Sequence, residues 1–167
     1  MLDRFRESRV KGSGALCNAV PSRLFVDQHL RVAIGIDVVS VAEVAAALDR
    51  FGDRYVRRAF NAQETAYCRA ARGAAAAARF AARFAAKEAT VKTLNPRQPW
   101  VDWTAIEVRR GRSGRCALVL HRDAASLAAR RGIKHFELSM SHDGDQAIAI
   151  VMALRQPQRR RRTRSDD

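Results

Sequence analysis

Two acids stand where apolar residues are expected. In the run Val32-Ala33-Ile34-Gly35-Ile36-Asp37-Val38-Val39, Asp37 interrupts a nearly continuous β-branched stretch. In the Ala-rich stretch 74–94, Phe80, Phe84, Glu88 and Val91 fall at helical spacing on one stripe, which Ala77 and Ala81 widen. That stripe is the face expected to pack on a sheet, so Glu88 is placed on or at the edge of a buried face. An uncompensated buried carboxylate is costly and needs a basic partner, a metal ion or an escape to solvent. Taken singly, each acid has a simpler reading. Asp37 could cap the helix that follows, and Glu88 could pair with Lys92 one turn on. Together, two carboxylates from different elements with cations nearby suit Mg²⁺, which takes one or two protein carboxylates, waters and substrate phosphate oxygens. The same helix supplies the rest of a phosphate site: Arg83 and Lys87 lie four apart, and Lys92 lies four beyond Glu88. Transfer at a pyrophosphate needs such a set, because its transition state spreads negative charge over non-bridging oxygens.

The elements that would carry these groups follow from pattern and punctuation. The run 32–39 reads as a buried strand. Ser40, with Glu43 three residues on, reads as the N-cap and capping box of a helix through Phe51, which Gly52 stops. Residues 53–60 suggest a short helical turn. Asn61, with Glu64 three later, caps a helix near 62–72, and Gly73 separates it from the long helix 74–94. Asn95-Pro96 and Pro99 force a loop. Strands are expected at 101–110 and 115–121, joined by Gly111-Arg112-Ser113-Gly114. A helix near 123–131 and two strands, about 134–141 and 145–153, complete the order. Residues 31–154 form one domain. Residues 1–30 read as a loosely ordered extension and residues 155–167 as a disordered Arg-rich tail.

The net charge of +14 implies affinity for polyanions. It is not confined to the tail: residues 155–167 carry +4, while residues 31–154 carry +8. A basic nucleic-acid-binding protein is therefore the rival class. No zinc module or RNA-recognition aromatic signature is present, and the aromatics are not interleaved with the basic runs, so no specific nucleic acid is expected. No stretch approaches a charge-free apolar span, and the charged N-terminus does not read as a secretory signal. Cys17, Cys68 and Cys116 show no metal-ligand spacing and read as thiols of a reducing cytoplasm.

Several segments resemble one known family. Gly35-Ile36-Asp37-Val38-Val39 resembles the opening Gly-Ile/Leu-Asp-Ile/Val signature of the bacterial holo-acyl-carrier-protein synthases, members of the 4'-phosphopantetheinyl transferase superfamily. Phe60-Asn61-Ala62-Gln63-Glu64 resembles their Phe-Thr-x-x-Glu helix start. Arg79 to Lys92 resembles their central helix, with its Arg-Phe-Ala-Ala-Lys-Glu-Ala hallmark. Trp103 to Val108 with Ser113-Gly114-Arg115 resembles the hairpin that follows, and Leu138 to Asp143 resembles their Ser-x-Ser-His segment.

The resemblance implies transfer of the 4'-phosphopantetheine arm of coenzyme A to a serine of an apo acyl-carrier protein, leaving adenosine 3',5'-bisphosphate. Asp37 and Glu88 would ligate Mg²⁺. Lys92 would neutralise the phosphates and protonate the departing bisphosphate. Arg83 and Lys87 would contribute to the phosphate-binding surface, and His142 would hold the nucleotide end of coenzyme A. The base for the serine would be either a water on the ion, deprotonated by Glu88, or an acid such as Asp143. The resemblance also implies a compact α+β fold, with an antiparallel sheet packed on the long Ala-rich helix, and a cytoplasmic homotrimer with sites at subunit boundaries. Arg50, Arg54, Arg57 and Arg58 would meet an acidic carrier helix. Glu43 departs from the basic residue of many relatives, and Asn95 to Trp100 departs from their Gly-rich loop.

Overall fold

The run 31–40 forms a strand with two unlike faces. A computed structural model describes residues 31–96 and 102–155; residues 1–30, 97–101 and 156–167, including Cys17 and the Arg tail beyond Arg155, lie outside the described residues. Strand β1 (Arg31–Ser40) directs Ala33, Gly35, Asp37 and Val39 inward, while Val32, Ile34, Ile36 and Val38 are exposed. The continuous apolar run had read as buried on both sides; in this single chain only one side is covered.

Helix α1 (Val41–Ala59) starts at Ser40, whose hydroxyl accepts from Glu43 N (3.1 Å). Gly52 does break it, with φ 49° and ψ −131°, but as a kink with no intervening loop. Such a φ is open to glycine and strained for most other residues. Helix α2 (Ala62–Arg69) has the expected capping box: Asn61 Oδ1 accepts from Glu64 N, and Glu64 Oε2 accepts from Asn61 N. The long helix α3 (Ala74–Leu94) follows.

The next strand begins later than the pattern suggested. Asp102 Oδ1 accepts from Thr104 N and Thr104 Oγ1, which winds Trp103–Ala105 into a 3-10 turn before β2 (Ile106–Arg110). Strand β3 (Cys116–Leu120), helix α4 (Arg122–Arg130), β4 (Ile133–Asp143) and β5 (Gln146–Arg155) complete the chain. Strands β1, β5 and β4 form one antiparallel sheet in that order, and β2 and β3 pair separately.

Helix α3 lies on the three-stranded sheet through small residues. Ala85, Ala86 and Ala89 pack with Ala149 and Val151 of β5. The Phe84–Glu88–Val91 row is only half-buried, at the margin of that contact. The tightest face is therefore the alanine face and not the aromatic stripe. The reason is close approach: a Cβ on Gly35 would overlap the Ala89 carbonyl oxygen and lie 2.5 Å from Thr93 Oγ1. Strand and helix backbones touch here, which only glycine permits.

Candidate functional site

The close approach of β1 and α3 brings the two acids together. Asp37 points inward from β1 two residues beyond Gly35, and Glu88 precedes Ala89 on α3. Lys92 Nζ donates to Asp37 Oδ1 (2.6 Å) and to the Ile36 carbonyl (2.9 Å). Asp37 is buried, whereas the Lys92 side chain is 56% exposed and its ammonium faces solvent. Asp37 Oδ2 is buried without a hydrogen-bond partner among the described residues.

Glu88 carries the electrostatic mark of this arrangement. Burial first, then the nearby Asp37 carboxyl, push its pKa from 4.5 to about 7, against the opposing pull of Lys92. Two carboxyl groups this close favour a proton on one of them, and the bare pair leaves Asp37 Oδ2 unsatisfied. Lys92 is held above the ordinary lysine range, chiefly by its hydrogen bond to Asp37. Tyr55 of α1 feels the same acid: burial, then the charge of Glu88, push its hydroxyl up to about 12.

Arg83 and Lys87 part company. Arg83 is buried too, at 2% exposure, against the expectation of a surface phosphate contact: it lies in a basic cluster around Tyr67, with its guanidinium 4.1 Å from the ring centroid and its Nε without a partner among the described residues. Arg79 stacks on the same ring at 4.7 Å, and Arg110 donates to the Tyr67 hydroxyl. Lys87 instead points into the core and is fully buried. Its ammonium donates to Glu64 Oε2 (2.8 Å), the Trp103 carbonyl (2.9 Å) and the Ile106 carbonyl (2.5 Å). Its three protons are therefore spent inside the protein. Burial lowers its pKa, and Glu64 opposes that shift.

His142 and Asp143 are exposed at the end of β4. By register Asp37 stands opposite Ala149 and Ala149 opposite Met140, so His142 is two register positions further on and two strands away from Asp37. The structure does not bring His142 to the acids within one chain. A neighbouring residue missed by the sequence reading is Asp145, which ties this turn to α1. Its carboxylate accepts from Ala42 N (2.7 Å) and Ser40 Oγ (2.9 Å), and its carbonyl accepts from Val41 N. No local pattern links residues so far apart in sequence. Tyr67, Arg79 and Arg110 were missed for the same reason. Glu64 had been read only as a capping acid.

On α1, Phe51, Arg54, Tyr55 and Arg58 line a surface pocket of about 260 Å³. The Arg50 guanidinium lies 5.0 Å from the Phe51 ring centroid, which adds a third cation beside this apolar hollow.

Residues 33–151 match the family model of the 4'-phosphopantetheinyl transferase superfamily. The chain is 41% identical over 123 residues to the holo-[acyl-carrier-protein] synthase of Desulforudis audaxviator, covering 74% of this chain and 92% of that protein. It is 43% identical over 122 residues to the synthase of the same name from Frankia casuarinae, covering 73% and 96%. The ACPS–CoA complex of Chronobacterium ammoniagenes superposes with a TM-score of 0.67 at 31% identity, covering 77% of this chain and 99% of that one.

Proposed function

The chain belongs to the 4'-phosphopantetheinyl transferase superfamily, among its holo-[acyl-carrier-protein] synthases, and from that premise we propose that it moves the phosphopantetheine arm of coenzyme A to a carrier serine at the Asp37–Glu88–Lys92 cluster. The observation that carries this reading is the convergence of two acids and one solvent-facing ammonium at the contact of β1 with α3.

The donor set fits Mg²⁺. Asp37 Oδ2 lacks a partner, Glu88 is protonated well above its ordinary range, and a cation would relieve both. Among the described residues no group of three His, Cys, Asp or Glu forms a cage, so the site suits an ion that keeps waters and substrate oxygens. Asp37 and Glu88 would hold that ion, which when bound supplies charge neutralisation at the pyrophosphate.

The protein's own groups divide the remaining work. The carrier serine oxygen forms a bond to the phosphorus that bears pantetheine, and the bond from that phosphorus to the oxygen of the adenosine bisphosphate breaks. Lys92 offsets charge on the phosphate oxygens and gives a proton to the departing adenosine 3',5'-bisphosphate. Glu88 takes the serine proton through a water, while Asp143 stands exposed at the end of β4. Arg79 and Arg110, which share the Tyr67 ring with the buried Arg83, form the phosphate-binding surface for coenzyme A, to which Arg83 adds charge, and His142 serves its nucleotide end. The basic helix α1, with Arg50, Arg54, Arg57 and Arg58, meets the acidic carrier.

The working form is a cytoplasmic homotrimer. The exposed row Val32, Ile34, Ile36 and Val38 with Ile148 and Ile150 supports this, because a monomer rarely leaves so many contiguous β-branched side chains in water. A second subunit on that face would also supply cover that this chain lacks. The test is incubation with coenzyme A, Mg²⁺ and an apo-carrier. A mass gain of one pantetheine arm on the carrier is expected; no gain, with a folded carrier and an active control synthase, refutes the proposal.

A further inference from the structure

Helix α3 is gripped from opposite sides around Glu88. Successive residues turn by ~100°, so Lys87 and Ala89 face nearly opposite ways and Glu88 lies between them. On one side Ala89 is fully buried against Gly35, with no room for even a methyl group. On the other side Lys87 is fully buried and joins three elements. It holds Glu64 of α2 and the carbonyls of Trp103 and Ile106. Glu64 completes the knot: its Oε1 accepts from Val108 N of β2 (3.0 Å) and its Oε2 from Asn61 N (3.0 Å). The Lys87 ammonium also lies 5.4 Å from the Phe60 ring centroid. Trp103, whose carbonyl it holds, packs on Phe84, one turn before Glu88 on the same margin of α3.

We propose that Lys87, with Glu64, is a positioning residue of the transfer reaction: it sets the rotation of α3 about its axis and so aims Glu88 and Lys92 at Asp37. Apolar packing alone would leave this rotation loosely fixed, because the sheet-facing side of α3 is mostly alanine and offers little shape. A buried ammonium with three fixed acceptors admits one orientation. This inference rests on the reading of Glu88 and Lys92 as reactive groups, and it removes Lys87 from the phosphate surface.

The test compares Lys87→Met, Lys87→Arg and the double variant Glu64→Gln/Lys87→Met with the wild-type chain. The double variant removes both buried charges and keeps the fold testable where the single variant may be too unstable. Unfolding curves, kcat, KM for coenzyme A and the calorimetric Kd for coenzyme A are measured. The expected result is a cooperatively folded double variant with kcat reduced at least about tenfold. Its KM and Kd for coenzyme A stay within about twofold of wild type, a change of under about 0.5 kcal/mol. Lys87→Arg should not restore kcat, because a longer guanidinium does not fit a closed site. Wild-type kcat in the folded double variant overturns the inference. So does a tenfold rise in KM or Kd at unchanged kcat, which marks a phosphate contact, or full rescue by Lys87→Arg. Absence of transfer by the wild-type chain itself refutes the proposed function instead, so the two failures are separable.

Discussion

Replacing Glu88 by Gln should yield a protein that is inactive yet more stable than wild type at pH 8 without metal. The sign follows from linkage. Glu88 has a folded pKa of about 7 against an ordinary value of 4.5. Below about pH 4.5 both folded and unfolded chains carry the proton, and the acid costs nothing. Between about 4.5 and 7 the unfolded chain releases the proton while the folded chain keeps it, so stability falls as pH rises. Above about 7 both are ionised and the full cost remains. That interval corresponds to a ceiling of about 3 kcal/mol, and screening at a half-exposed margin leaves ~1–2 kcal/mol. Glutamine keeps the shape and removes the titration. Urea or thermal unfolding in EDTA, from pH 4 to pH 8, checks this. The two proteins should coincide at the acid end. The variant should pull ahead toward pH 8, by about 4–8 °C in Tm for a domain of this size. Saturating Mg²⁺ should stabilise wild type and leave the variant nearly unmoved. A variant less stable than wild type at pH 8, or an offset independent of pH, refutes the account of the acid pair.

Three further outcomes follow from the same geometry. Lys92→Ala should slow transfer by about 100-fold while Mg²⁺ binding persists, measured by single-turnover kinetics and calorimetry; unchanged turnover removes Lys92 from the phosphate chemistry. Gly35→Ala should cost at least about 3 kcal/mol, read from chemical unfolding, because the new methyl meets the Ala89 carbonyl and Thr93 hydroxyl. A loss under about 1 kcal/mol would mean that β1 and α3 are not in backbone contact. Ile34→Glu, placed on the most exposed of the apolar β1 positions, should convert the assembly to monomers by light scattering. An unchanged mass shows that this face is not the subunit contact.

The sequence disclosed the acids because each was chemically out of place, and it disclosed the order of elements because caps and glycines punctuate it. It misled about Lys87. Four-residue spacing from Arg83 suggested a shared phosphate face, yet Phe80, Lys87 and Leu94 recur at seven residues and share a buried stripe. A lysine between a Phe and a Leu on such a stripe demands an internal acid, and Glu64 of the capping box was available to answer it. The Tyr67 cluster and the Asp145 clamp could not be read, because each joins residues from separate elements with no shared local pattern. The β1 run raised a different ambiguity. Continuous β-branched residues report burial on two faces but not whose atoms provide it.

That ambiguity bears on how the site is built. Asp37 sits on the inward face of β1, and the residues on either side of it in sequence, Ile36 and Val38, face the open side. Any chain that covers Ile36 and Val38 must also fix the strand that carries Asp37 and pin it against α3. The inward face allows this only because it is made of small groups: Gly35 on the strand, Ala85, Ala86 and Ala89 on the helix, and Ala149 on β5. Larger residues would hold strand and helix further apart, and a side chain as short as Asp could then no longer reach Glu88 and Lys92. The alanine richness of this core is thus what lets two acids and a lysine meet at its edge.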